Sequence, residues 1–363
     1  MPTKDIYIGT MSGTSADAVE SCALNIDNKS VSIIGSYSTK ITSNDQTKIL
    51  NLASGKTVTA QEFGEINQLC TRYFLKSIQG LIRKNSIKHS RVKGIGLSGQ
   101  TVWHAPKSKH PFSIQLGDPN YISHALGVPV VSDFRNSHIA LGGEGAPLTT
   151  YFHHEMFKSH KSRLIINLGG ITNFTFIKRS FVLGSDAGPA NALMDIYCQK
   201  VLKKKFDKGG LIAAKGDIHA SSINEMSKHS FFQKKLPKST GKEIFNLNFI
   251  PKKLLKKPKE DVLATLNFFS AKMIFEQTQK LKKAIDEIYV CGGGIKNQTL
   301  LSNLESLFKI KIKSSKEVGL DPMLVESAAF GWLAKKRIDH EVLQVLNKGK
   351  SSKGLLGSIT KIR

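Results

Sequence analysis

The sequence predicts an α/β protein of two domains, and three observations predict it. The chain is 363 residues, long for a single core. Apolar, β-branched segments divided by Asn, Asp and Ser turns alternate with segments of helical period, and this order occurs twice. In each round the first strand runs into glycine and hydroxyl residues: GTMSGTSAD (residues 9–17) follows Ile6-Tyr7-Ile8, and the second round contains INLGGITN (166–173). A third cluster of the same kind, VCGGGIKN (290–297), follows later.

Strands are expected at 7–8, 21–26 and 31–37, a β-meander carrying the first cluster. Phe63, Ile66, Leu69, Phe74, Leu75, Ile78 and Leu81 recur at helical spacing and predict a helix over 60–86. A strand over 92–97 ends in SGQT, and a short strand at 114–116 leads through QLGDPNYI into a helix ending at 126. The next strand, 128–131, has Pro129 near its start, where proline is tolerated. The second half repeats the theme with strands at 164–168, 174–177 and 181–183 and a helix over 191–203. A polar, lysine-rich stretch at 215–260 holds short helices. Then come a long helix (259–284), a strand (288–291), a helix (296–308), a strand (308–312) and a last helix (323–336). Two rounds of meander, helix, strand and helix describe the two-domain actin-like ATPase architecture, a ribonuclease H-like fold. The expected domains are 1–130, with 335–363 packing back on it, and 131–334. ATP is expected in the interdomain cleft, because ligands of open α/β sheets sit at strand carboxyl ends.

The glycine clusters suit a nucleotide. Glycine permits close backbone approach and positive φ. Hydroxyls and backbone N–H groups suit phosphate. The expected ATP-contacting residues are Gly9, Met11, Ser12, Gly13, Thr14, Ser15 and Asp17; Gly169, Gly170, Thr172 and Asn173; and Gly292, Gly293, Gly294 and Asn297. For any one cluster the alternative is a tight turn after a strand. None is a Walker loop or a G-x-G-x-x-G fingerprint. Asp17 could hold Mg²⁺ through water, since Mg²⁺ takes few carboxylates plus phosphates, or could be a turn or cap residue.

The formal net charge is +25, from 53 Lys+Arg against 28 Asp+Glu. The lysines are dispersed, and no helix-turn-helix, zinc finger or aromatic-studded RNA-binding strand accompanies them. A solvated basic surface is therefore expected, without nucleic-acid binding, and it can steer anionic substrates. No apolar run reaches the ~20 residues of a membrane span. The N-terminus has no signal-peptide pattern, and Cys22, Cys70, Cys198 and Cys291 lack zinc-ligand spacing. Buried free thiols in a reducing cytoplasm are the expectation.

On ordered motifs spanning nearly the whole chain, the sequence resembles the anhydro-N-acetylmuramic acid kinase family of the sugar kinase/Hsp70/actin superfamily. The motifs are MSGTS, SGQT, QLGDP, SDFR, GGEGAPL, NLGGITN, SDAGPAN, KSTGKEIFN, CGGG and ESAAFGWLA. The resemblance implies a cytoplasmic, ATP- and Mg²⁺-dependent kinase that opens 1,6-anhydro-N-acetylmuramic acid with water. It yields N-acetylmuramic acid 6-phosphate in peptidoglycan recycling, and the family implies a homodimer. Asp186 matches the family's catalytic aspartate; the alternative is an Asp in a turn, capping the helix that follows. Arg135 could pair with the substrate's lactyl carboxylate or serve a buried structural ion pair. Glu326 matches a substrate-contact position, though an acid in a first helical turn is also ordinary dipole chemistry. Gln100, Asp133 and Asp118 are weaker candidates for substrate binding, and the CGGG turn matches the adenosine-side loop.

The chain departs from the family pattern at Ala18, Glu20, Ser98, Asn136, Ser137, His138, Glu144 and Ala190. Ala18 replaces a glycine and is expected to resist positive φ. Most departures fall on the sugar side of the motifs. A diverged sugar kinase with another acceptor, or a non-catalytic ATP-binding protein, are the alternative readings.

Overall fold

The computed structural model describes residues 5–27, 30–241, 244–347 and 350–361. The chain divides into two compact units, residues 1–152 with 324–363, and residues 153–323. The boundaries expected at 130 and 334 lie elsewhere for a physical reason. Residues 130–132 form a strand inside the first unit's sheet, and the helix beginning at Val325 packs on that sheet.

In the first unit β1 (Ile6–Ser12), β2 (Ala18–Ile26) and β3 (Val31–Lys40) form the antiparallel meander. β4 (Val92–Ala105) runs parallel to β1 and pairs antiparallel with β5 (Phe112–Leu116) and parallel with β6 (Val130–Ser132). The second unit uses the same order. β7 (Arg163–Leu168), β8 (Ile171–Lys178) and β9 (Phe181–Pro189) form a meander, and β10 (Glu287–Cys291) and β11 (Ile312–Ser314) continue it in parallel from β7. β12 (Leu343–Asn347) and β13 (Lys350–Gly354) form a separate hairpin, and β14 (Ser358–Thr360) adds to the edge of β6. Meander strands and then parallel strands, found twice, make this a two-unit α/β protein of the actin-like class.

The helices are α1 (Ser43–Ala53), α2 (Ala60–Lys84), α3 (Pro119–Leu126), α4 (Phe134–Ala140), α5 (Thr149–Phe157), α6 (Ala192–Lys200), α7 (Ala220–Ser227), α8 (Ser230–Gln233), α9 (Lys252–Leu255), α10 (Lys259–Gln279), α11 (Gln298–Phe308) and α12 (Val325–Ile338). α2 starts at a capping box, in which Thr59 and Glu62 satisfy each other's backbone N–H groups. It buries Ile66, Phe74, Ile78 and Leu81 with Ile8, Ile95 and Leu97 of the sheet. Each such side chain contributes about 1.5–3 kcal/mol on burial. α12 covers β1 and β4 at very close range. A Cβ on Gly9 would lie 1.7 Å from the Ser327 carbonyl oxygen, and one on Gly96 would lie 2.0 Å from that of Phe330. Only glycine allows this contact.

In the second unit α10 is buried around most of its circumference, which explains its lack of an apolar stripe. α11 ends with Lys309 in the left-handed conformation (φ 55°), so the strand expected at 308–312 starts only at Ile312. At the start of β10, Glu287 takes hydrogen bonds from Lys161 (3.0 Å), Arg163 (2.8 Å) and Lys313 (2.9 Å). Burial opposes its ionisation, yet these three cations win and hold its carboxyl at about 2.

Candidate active site

Asp186 lies within β9, not in a turn before a helix. Gly, Ser and Pro around it suggest a turn, but pairing with β8 overrides them: Ser185 opposes Phe174 and Asp186 opposes Asn173. The helix that follows is capped at Asn191, whose amide donates to the Gly169 carbonyl at 2.8 Å. Asp186 is therefore not the helix cap. It is buried, and its Oδ2 accepts the Thr240 N–H at 2.8 Å. Its own N–H donates to the Lys238 carbonyl at 2.9 Å.

Around Asp186 the protein leaves hydrogen-bonding capacity unused. Among the described residues, Thr172 Oγ1, Asn173 Oδ1 and Thr240 Oγ1 are buried without a partner. A buried polar atom without a partner costs about 1–3 kcal/mol. Two of the three adjoin the carboxylate, Asn173 by opposing Asp186 across the sheet and Thr240 through its N–H, whereas Thr172 opposes Gly188. The Gly169-Gly170 turn joins β7 to β8. Its carbonyls accept N–H groups of Ala190, Asn191 and Ala192, which fixes the turn to the start of α6.

The CGGG segment has two kinds of glycine. Gly292 (φ 81°) and Gly294 pack against the end of β7, where a Cβ would meet Asn167 Oδ1 at 2.3 Å and Leu168 Cβ at 2.6 Å respectively. Gly293 is exposed, with nothing closer than Met323 Cε at 4.0 Å, and leaves space for a ligand. Asn297 is the N-cap of α11, accepting the Leu300 N–H at 3.1 Å, and it also takes a hydrogen bond from Asn267. Its side chain is committed to the fold.

In the first unit, the first cluster forms β1 and its turn into β2. Gly9 and Met11 lie within β1. Ser12 donates to the Ala18 carbonyl (3.0 Å) and to Gln100 Oε1 (2.7 Å), and Gln100 donates to the Gly13 carbonyl (3.2 Å). Gln100, a weaker candidate for substrate binding, is buried and bonded to this turn. Gly13 and exposed Thr14 lead to Ser15, whose hydroxyl donates to Asp17 at 2.7 Å. Asp17 is exposed and precedes a strand, so it caps no helix. The positive φ of the turn falls on Ala16 (48°), and Ala18 is ordinary extended strand paired with Lys40. The Gly-to-Ala departure at 18 therefore carries no backbone strain.

Asp133 and Arg135 stand at the start of α4, and the remaining sugar-side candidates lie on α3 and α12. Asp133 stands in the left-handed region (φ 54°), an uncommon state for a non-glycine residue. Its carboxylate accepts Asn136 Nδ2 at 2.8 Å, and Asn136 also bonds the Ser113 backbone on both sides. Arg135 donates to the Gly145 carbonyl at 3.0 Å. Burial, and then the Arg135 charge, push both His104 and His138 down to about 4, so both are neutral. His138 Nδ1 accepts the Gly145 N–H, which places its proton on Nε2, facing the Tyr151 hydroxyl at 2.9 Å. Glu144 meets Lys107 at 3.0 Å, which offsets its added charge. Asp118 caps α3, accepting the Asn120 and Tyr121 N–H groups. Glu326 stands half-buried in the first turn of α12.

Sequence reasoning found the KSTGKEIFN motif without giving it a role. Lys238 and Thr240 within it are bound to β9, while residues 242–243 lie outside the described residues. Among the described residues, no group of three or more His, Cys, Asp and Glu could hold a metal ion, and no helix is long and apolar enough to cross a membrane.

Comparison with known proteins gives the family. An anhydro-N-acetylmuramic acid kinase of Gamma-proteobacterium EBAC31A08 is 42% identical over 361 residues, covering 99% of each chain. Another, of Vibrio cholerae, is 33% identical with 93% of each covered. Among solved structures, component A of the (R)-2-hydroxyglutaryl-CoA dehydratase of Acidaminococcus fermentans superposes with TM-score 0.50 at 12% identity. It covers 92% of this chain and 99% of that one, and it shares the fold alone. The family described as Anhydro-N-acetylmuramic acid kinase matches residues 5–361, and this chain belongs to it.

Proposed function

We propose that this chain is an ATP-dependent kinase of peptidoglycan recycling. It opens 1,6-anhydro-N-acetylmuramic acid with water and yields N-acetylmuramic acid 6-phosphate. The observation that carries the reading is Asp186, a buried carboxylate held by the Thr240 N–H and opposite Asn173, where Asn173 and Thr240 each keep a buried side-chain oxygen unpartnered among the described residues.

The chemistry assigned to the residues is simple. A water attacks C1 of the sugar, and Asp186 takes its proton as the new C1–O bond forms. The bond from C1 to the bridging oxygen breaks, and the electron pair goes to that oxygen, which becomes O6 and takes the phosphoryl group. When bound, ATP supplies that group and Mg²⁺ neutralises charge on the phosphates. Thr172, Asn173, the Ser12–Ser15 turn and the open Gly293 backbone are the groups assigned to hold it. Asp17 is the one carboxylate assigned to the metal, through water, which suits the low carboxylate demand of Mg²⁺. Arg135 is assigned to the lactyl carboxylate, with Asp133 and Glu326 as polar contacts to the sugar.

Asp186→Asn tests the reading. Sugar-dependent ADP release is expected to fall by about 10²–10⁴-fold, with ATP binding retained. Turnover within about threefold of the parent enzyme, a change too small for the loss of a general base, would overturn the assignment of Asp186.

A further inference from the structure

Lys238 is an unusual residue to find beside a catalytic carboxylate. It is 2% exposed. Its ammonium donates to the Phe231 carbonyl (2.8 Å) at α8 and to Gln277 Oε1 (2.6 Å) on α10, and it lies 4.2 Å from the centre of the Phe231 ring. Its backbone is tied just as firmly to β9. The Lys238 N–H donates to Ser185 Oγ (3.0 Å), and its carbonyl accepts the Asp186 N–H (2.9 Å). Two residues on, the Thr240 N–H holds Asp186 Oδ2. Side chain and backbone therefore fix one short segment between two helices and the strand that carries the base.

Burial, then the charges of Lys280 and Lys234, pull Lys238 down to about 7, and Asp186 alone opposes them. A buried lysine is costly where a methionine would pack, so a stability role does not explain it. Rigid placement of the group that acts on the reacting water does, since small misplacements of a general base cost large factors in rate.

We infer that Lys238 is a positioning residue for Asp186: its buried ammonium pins the 238–240 segment, whose backbone sets the place and orientation of the carboxylate. The inference rests on the reading of Asp186 as the base. The polar α8–α10 anchor and the loop thus form a splint for the carboxylate, and the KSTG motif acquires a function.

The test compares Lys238→Met, Gln277→Leu and Gln277→Glu with the parent enzyme, using ATP, Mg²⁺ and 1,6-anhydro-N-acetylmuramic acid. Lys238→Met keeps the stem and removes the donors, and Gln277→Leu removes one acceptor while leaving the lysine. Both are expected to lower kcat at least about tenfold with the KM for ATP changed less than about twofold, because positioning acts on the chemical step. Gln277→Glu keeps an acceptor and is expected to retain kcat within about threefold. Unchanged kcat in Lys238→Met, or a loss in Gln277→Glu equal to that in Gln277→Leu, would overturn the inference. If Lys238→Met does not fold, the two Gln277 variants decide alone. Failure of the underlying reading shows separately, as Asp186→Asn retaining turnover, and the inference then falls with it.

Discussion

The two units carry the same meander and differ in how the polar groups around it are satisfied. In the first unit the turn after β1 is closed on itself: Ser12 is bound to Gln100 and the Ala18 carbonyl, Ser15 to Asp17, and Gln46 to the Ser15 carbonyl. In the second unit, among the described residues, Thr172 and Asn173 of β8 and Thr240 of the loop bonded to β9 keep buried side-chain oxygens unpartnered, and Asn173 and Thr240 adjoin the Asp186 carboxylate. The contrast is the reason the proposed base is assigned to the second meander. The first meander satisfies its turn within itself, although Asn25 and Thr39 in β2 and β3 also keep a buried unpartnered oxygen, and the second keeps such groups next to a carboxylate.

The largest expected effect separates the units directly. Asp186→Asn should remove about 10²–10⁴-fold of kcat and leave thermal stability nearly unchanged, as measured by ADP release and a melting curve. Gly9→Ala, in the first meander, should do the reverse and act through folding. Its Cβ would meet α12 backbone at 1.7 Å, and a loss of about 3 kcal/mol or more is expected in a denaturant titration. Equal activity losses from the two at full stability would erase the contrast.

Smaller effects sharpen it. Ser12→Ala should cost about 1–2 kcal/mol, because it leaves Gln100 short of a partner inside the protein. Thr172→Val, which removes an unpartnered hydroxyl, should leave stability unchanged or raise it by up to about 1 kcal/mol while weakening ATP binding in calorimetry. A Thr172→Val variant as destabilised as Ser12→Ala would contradict the contrast.

Acid should act on the second unit through Glu287. Its folded carboxyl, held at about 2, lies below the ordinary 4.5, so its contribution is present above 4.5 and disappears as pH falls toward 2. The melting temperature should drop through that window, and Glu287→Gln should flatten the drop. The smallest effect is Ala18→Gly, which restores the family residue in a strand position and should cost about 0.5–1 kcal/mol without raising activity.

Much of this was legible in the sequence, for reasons that particular residues show. α2 could be read because seven apolar residues keep helical spacing behind a Thr-x-x-Glu cap. α1 was missed because only Ile49 of its eleven residues is buried, although Thr42 and Asp45 already spell an N-terminus. The short C-terminal strands carry little apolar pattern, and β14 exists through pairing with β6. The glycines of the clusters are glycine for mixed reasons. Gly9, Gly292 and Gly294 are glycine because backbone or side chains press against them, whereas Gly293 is open. Ala18 was read as a strained position because the turn's positive φ could not be located from sequence; it sits at Ala16. The site itself depends on a contact across 54 residues, from Thr240 to Asp186, and no local pattern announces that.

The most direct measurement is the mass of the sugar product formed from 1,6-anhydro-N-acetylmuramic acid with ATP and Mg²⁺. The parent enzyme should form a product heavier by one phosphoryl group (HPO₃) plus water, and Asp186→Asn should not. A product heavier by the phosphoryl group alone, or no sugar product while ATP still binds, would contradict the account.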